Sequence, residues 1–193
     1  MLALGDSLTA GYGLPEPQGF VPQLQGWLDA NGVAATVVNA GVSGDTTAGG
    51  RGRLAWSLDE TVDAAIVALG GNDLLRGVPP QVSRENLGAI LAELSAAGIP
   101  ALLIGIEAPG NYGPAYKEAF DGMYVDLAGE YDALLEPSFL APLLDEADVA
   151  TARARYMQAD GIHPNADGAA VIVDAFGPRV AELVERVAAQ GGG

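Results

Sequence analysis

The feature that most constrains this chain is a pair of almost uninterrupted apolar runs, Val62–Leu69 and Ala101–Ile106, lying between segments of helical periodicity. A strand with one wet face alternates apolar and polar residues. A run this apolar needs cover on both faces, as in a parallel sheet. Leu2–Gly5, Thr36–Asn39 and Leu134–Leu135 read as three further strands. Helices are predicted over Gln18–Ala30, Pro80–Ala97, Tyr116–Tyr131 and Ala169–Val187. In the second of these, Leu87, Ile90, Leu91 and Leu94 recur at helical spacing, and Gly98-Ile99-Pro100 is the stop signal. Strands alternating with helices predict an α/β fold with a central parallel sheet and right-handed crossovers that put helices on both faces. No linker or repeat interrupts the pattern, so residues 1–190 are expected to form a single domain and 191–193 a frayed tail.

Charge excludes several functions. The chain carries 25 acidic residues against 9 basic, a net charge of −16. Phosphate backbones and anionic lipid surfaces require clustered Lys and Arg, and only Arg51/Arg53 and Arg153/Arg155 come in pairs. Nucleic acid is not an expected partner. No apolar run approaches the roughly 20 residues that span a bilayer, so stable membrane insertion is not expected either. The absence of cysteine removes disulfides, thiolate metal sites and a cysteine nucleophile. Met1 leads directly into a core strand with no basic or apolar leader. Either the protein is cytoplasmic, or an export signal has been removed.

In open α/β sheets ligands bind beyond the carboxyl ends of the strands, and the distinctive residues of this chain lie there. The first strand ends in Gly5-Asp6-Ser7-Leu8, the second in Asn39-Ala40-Gly41-Val42-Ser43-Gly44-Asp45, the third in Gly70-Gly71-Asn72-Asp73. Near the C-terminus stands Asp160-Gly161-Ile162-His163-Pro164, with the only histidine. Acyl transfer needs such a set. A hydroxyl becomes a nucleophile when a neutral imidazole takes its proton. A carboxylate fixes the imidazole tautomer and stabilises its charged form. The oxyanion needs placed donors, which the backbone N–H groups of Ser7 and Gly44 and the Asn72 amide can supply. Asp73 reads as structural.

These four blocks, GDSLTAGYG, NAGVSGDT, GGND and DGIHPN, resemble those of the SGNH (GDSL) hydrolase family over essentially the whole chain. The resemblance implies a three-layer α/β/α fold of flavodoxin-like type, built on a five-stranded parallel sheet. It implies Ser7 as nucleophile, His163 as base, Asp160 as its orienting carboxylate, and an oxyanion hole from Ser7, Gly44 and Asn72, with neither metal nor organic cofactor. Asn111-Tyr112-Gly113, Tyr116 and Glu118-Ala119-Phe120 are similar to the bacterial thioesterase, arylesterase and lysophospholipase subgroup. Members of that subgroup are typically periplasmic and cleave short- to medium-chain acyl esters and thioesters. The enzyme is expected to act as a monomer on a small-molecule acyl ester or thioester, in the periplasm or outside the cell. A carbohydrate O-deacetylase and a non-catalytic α/β binding module are the competing readings.

The loops Leu74–Pro80 and Glu107–Tyr116 should shape the pocket, and their Gly and Pro content would suit a lid. Leu74, Leu75, Val78, Ile106, Pro109 and Tyr112 offer an apolar wall, while Glu107 adds negative charge and sets the site against anionic groups such as coenzyme A. Trp27, Trp56 and Phe176 are expected in the core. Two decoys fail: Gly50-Arg51 stands where a phosphate loop needs Lys-Ser/Thr, and Thr9 replaces the second glycine of a G-x-S-x-G elbow.

Overall fold

The computed structural model describes residues 1–144 and 149–191; of the expected tail, only Gly191 lies among them. Five parallel strands, β1 (Leu2–Gly5), β2 (Val38–Gly41), β3 (Ala65–Ala68), β4 (Ala101–Ile104) and β5 (Leu134–Glu136), form one sheet in the order β2-β1-β3-β4-β5. The helices are α1 (Ser7–Ala10), α2 (Phe20–Ala30), α3 (Thr47–Ser57), α4 (Gly71–Leu75), α5 (Pro80–Ala96), α6 (Pro114–Glu130), α7 (Ala141–Leu144), α8 (Val149–Tyr156) and α9 (Ala166–Gly191). Single 3-10 turns occupy Glu16–Gln18 and Gly110–Tyr112.

Every residue of β1, β3 and β4 is buried, which is what their unbroken apolar composition requires. Alternate residues serve opposite layers. Ala3, Ile66, Leu102 and Ile104 pack with Phe20, Leu24 and Leu28 of α2 and Ile172, Phe176 and Val180 of α9. Leu2, Leu4, Val67 and Leu103 face Leu54 of α3, Leu87, Ile90 and Leu91 of α5, and Phe120 and Leu127 of α6. The result is a three-layer α/β/α sandwich.

Some element boundaries differ from expectation for local reasons. The second strand starts at Val38, opposite Leu2, because the segment before it is bonded elsewhere. The Thr36 carbonyl accepts from the N-terminal amine, and Val37 N–H donates to Gln25 Oε1. Helix α3 has no counterpart in the sequence reading, since three glycines dilute its propensity and its apolar periodicity. Thr46 caps it through Gly49 N–H. Trp56, on this helix, is 91% exposed and not in the core: packing on α3 falls to Leu54 and Gly50, and Trp56 projects from the opposite face. Trp27 is partly buried against α9 at Gly177, and Phe176 is buried as expected.

Candidate active site

The strand ends converge where β1 and β3 lie side by side. Ser7 is the first residue of α1, where a helix leaves its N–H without an intrahelical acceptor. The preceding residue, Asp6, caps that helix: its Oδ1 accepts the Leu8 N–H at 3.0 Å. Asp6 Oδ2 also accepts Asn72 Nδ2–H at 3.2 Å, which ties the end of β1 to α4 and leaves the second amide hydrogen of Asn72 available. Asp6 is only 2% exposed. Burial pushes its carboxyl up to about 6, against the lowering effects of the Leu8 and Asn72 hydrogen bonds and the nearby His163.

His163 joins the two halves of the site. Its Nε2 lies 2.8 Å from Ser7 Oγ and its Nδ1 lies 2.7 Å from Asp160 Oδ2. Asp160 also folds the loop, because its Oδ1 accepts the backbone N–H groups of Ile162 and His163 at 2.9 and 3.0 Å. The His163 side chain first, and these two backbone donors after it, hold the Asp160 carboxyl down at about 2. With Nδ1–H donated to a carboxylate, Nε2 is left as acceptor for a serine hydroxyl. The imidazole is also braced by the Tyr12 ring, whose centroid is 4.7 Å from its own. Gln158 anchors the loop, donating through Nε2 to the Tyr12 and Pro164 carbonyls and through its N–H to the His163 carbonyl.

Gly44 has φ +84°, a conformation that L side chains resist, and its carbonyl accepts Arg76 Nη2–H at 2.8 Å. Gly70, at φ +122°, has no room for a Cβ because the Tyr124 hydroxyl occupies that space. Together these turns bring Gly44 and Asn72 into the cleft that also holds Ser7 and His163. That cleft is about 380 Å³.

Leu74, Leu75, Ile106, Glu107 and Pro109 line the cleft. Glu107 is not a lone negative charge: Lys117 Nζ sits 2.6 Å from its Oε1, and also bonds Asp121 and the Ala108 carbonyl. Val78 and Tyr112 do not line the cleft. The Val78 carbonyl accepts the Tyr116 hydroxyl at 2.8 Å, and the Tyr112 ring packs on Tyr116, so both tie their loops to α6. Tyr12, Leu140, Arg153 and Ile162 do line it, although the sequence reading did not select them. Of the residues it passed over, Asp6 carried a signal, its place beside the serine. Leu140 and Arg153 come from segments with no motif and reach the site only through the tertiary fold. Asp73 is buried and accepts from Thr47 N, Thr47 Oγ1 and Ser83 Oγ, a structural anchor.

Residues 3–171 match the family described as the GDSL-like Lipase/Acylhydrolase family. The chain is 43% identical over 165 residues to Esterase TesA of Pseudomonas aeruginosa, covering 85% of this chain and 79% of that protein. It is 38% identical over 185 residues to Thioesterase 1/protease 1/lysophospholipase L1 of Escherichia coli K12, covering 95% and 84%. Among solved structures, AlinE4, an SGNH-hydrolase family esterase, is 46% identical with a TM-score of 0.74 over 94% of each chain. The esterase EstA from Pseudoalteromonas sp. is 31% identical with a TM-score of 0.85, over 95% of this chain and 97% of its own. The chain belongs to the GDSL-like lipase/acylhydrolase family, as an ester-cleaving serine hydrolase of the SGNH type.

Proposed function

We propose that Ser7 attacks the carbonyl of a short- to medium-chain acyl ester or thioester. His163 takes its proton, and Asp160 holds the imidazole in the required tautomer. Ser7 N–H, Gly44 N–H and the free Asn72 amide hydrogen receive the oxyanion, each donor worth about 10²–10³ in rate. His163 then protonates the leaving group and activates the water that releases the acyl-serine. The relay from Asp160 Oδ2 through His163 to Ser7 Oγ, with contacts of 2.7 and 2.8 Å, carries this reading. The apolar residues Leu74, Leu75, Ile106 and Pro109 suit an acyl chain better than sugar hydroxyls, which favours acyl esters over carbohydrate acetates. The salt bridge from Lys117 to Glu107 lessens the objection to anionic leaving groups, though an exposed pair screens only in part.

Hydrolysis of p-nitrophenyl acetate, butyrate and octanoate by wild type and Ser7→Ala tests the mechanism. Loss of the nucleophile should cost on the order of 10⁴–10⁶ in kcat, and a fluorophosphonate should label wild type only. Activity that survives in Ser7→Ala would point to another nucleophile. No described helix is long and apolar enough to cross a membrane. A monomer exported to the periplasm or beyond is the setting we infer from the subgroup resemblance. Cell fractionation and light scattering test it.

A further inference from the structure

The cleft does not end at the acyl wall. Crossing from β1 to β5 it passes over the loops after β3 and β4, three strand spacings or about 14 Å, and reaches Leu140 and Arg153. There it meets a second cavity of about 60 Å³, and Leu140, Arg153 and Gly161 line both. Beyond that joint the other described residues that line the smaller cavity, Leu143, Leu144, Ala152 and Met157, are apolar. One charged side chain therefore stands between two largely apolar spaces.

Arg153 differs from most other arginines in the chain. Arg53, Arg76, Arg84, Arg179 and Arg186 each donate to a carboxylate or a carbonyl. The Arg153 guanidinium makes no hydrogen bond or ion pair with any described residue, and the residue is exposed. Moving it breaks no contact of that kind. An arginine can lay its stem along apolar surface while its head stays in water, so it can close an apolar space when empty and flank a hydrocarbon tail when filled.

We propose that the smaller cavity is a distal acyl subsite and that Arg153 is the side chain closing it, so that Arg153 sets the longest acyl chain the enzyme takes. The proposal rests on the ester-hydrolase reading above. The acyl chain runs from Ser7 past Leu74 and Ile106 toward Leu140. Its first carbons lie against the apolar loops, and the carbons of longer chains meet Arg153.

The test is the ratio of kcat/KM for p-nitrophenyl laurate to that for the octanoate, in wild type, Arg153→Ala and the double variant Arg153→Ala with Leu144→Trp. Each methylene newly covered is worth about fourfold, so a joint opened enough to cover about two more of them should raise the ratio on the order of tenfold. Leu144 lines only the smaller cavity and is partly exposed; tryptophan there should fill the space and bring the ratio back. A ratio that is unchanged or lower in Arg153→Ala overturns the proposal. So does a rise that Leu144→Trp leaves intact, or a loss confined to esters bearing a carboxylate or phosphate, which would make Arg153 an anion contact. Failure of the underlying reading is separate: wild type would then cleave none of the series and Ser7 would resist fluorophosphonate.

Discussion

Asp6 accepts hydrogen bonds from the Leu8 N–H and from the Asn72 amide, one on each carboxylate oxygen. An asparagine there has one acceptor oxygen. If it keeps Leu8, its own NH₂ faces the NH₂ of Asn72, and the Asn72 amide must turn over or withdraw. Asp6→Asn should therefore lower kcat by on the order of 10²–10³, the worth of one oxyanion donor, with little change in KM. The same substitution should remove the pH dependence of stability that Asp6 carries. Because burial lifts the Asp6 carboxyl from 3.8 to about 6, the folded state holds that proton more tightly than the unfolded chain. Asp6 thus favours folding below pH 4 and withdraws that support as pH rises toward 6 and beyond, by an amount on the order of 3 kcal/mol. Urea titrations at pH 4 and pH 8 check the sign: Asp6→Asn should lose less stability than wild type over that interval. The sequence made Ser7, Asn72, Asp160 and His163 legible because each sits in a motif whose chemistry is local. Asp6 was in plain view in the same tripeptide, yet its partner is 66 positions away. A bond of that span is set by the pairing of β1 with β3, not by neighbours in the chain.

Helices α3, α4 and α5 show what local pattern conceals at the scale of elements. The leucines of α5 mark that helix in the sequence, whereas α3 leaves no such mark, because Gly49, Gly50 and Gly52 weaken every helical signal. Gly50 nevertheless lets the helix pack closely, since a Cβ there would press on the end of the Leu69 side chain. Tertiary contacts make the helix, chiefly the buried cluster at its start. Thr47 Oγ1 donates to Asp73 Oδ1 at 2.6 Å and accepts Asn86 Nδ2–H at 3.2 Å, while Ser83 Oγ donates to the same carboxylate. The cluster joins the starts of α3 and α5 to α4, which carries Asn72. Thr47→Val keeps the shape but leaves two buried polar partners short of a bond, at about 1–3 kcal/mol each before relaxation. The melting temperature should fall by roughly 5–10 °C, at about 2–4 °C per kcal/mol for a chain of this size. Calorimetry measures that fall, and a Tm within a degree of wild type would show that the cluster relaxes without cost. The loop after β3 was expected to be lid-like. It is bonded to its surroundings at two points, from Arg76 to the Gly44 carbonyl and from the Tyr116 hydroxyl to the Val78 carbonyl.

At the scale of the whole molecule, the unbroken runs of β3 and β4 were enough to announce the three layers, because burial on both faces leaves few other architectures. Charge placement was not legible in the same way. A count gives −16 but does not say that Lys117 pairs with both Glu107 and Asp121 beside the cleft, or that Arg153 stands at its far end. For an anionic substrate the overall field opposes approach, and the Lys117 cluster beside the cleft, with two carboxylates to one ammonium, adds no net positive charge to offset it. Long-range repulsion is screened with a Debye length that shrinks from about 30 Å at 0.01 M salt to about 8 Å at 0.15 M, whereas contacts inside a cleft are screened less. For an acyl thioester of a polyanionic carrier such as coenzyme A, kcat/KM should therefore rise several-fold over that range, as the approach barrier fades. For neutral p-nitrophenyl butyrate it should stay flat, which separates steering from any effect of salt on the fold. A fall for the anionic thioester would mean that a local attraction, and not the net charge, controls its approach.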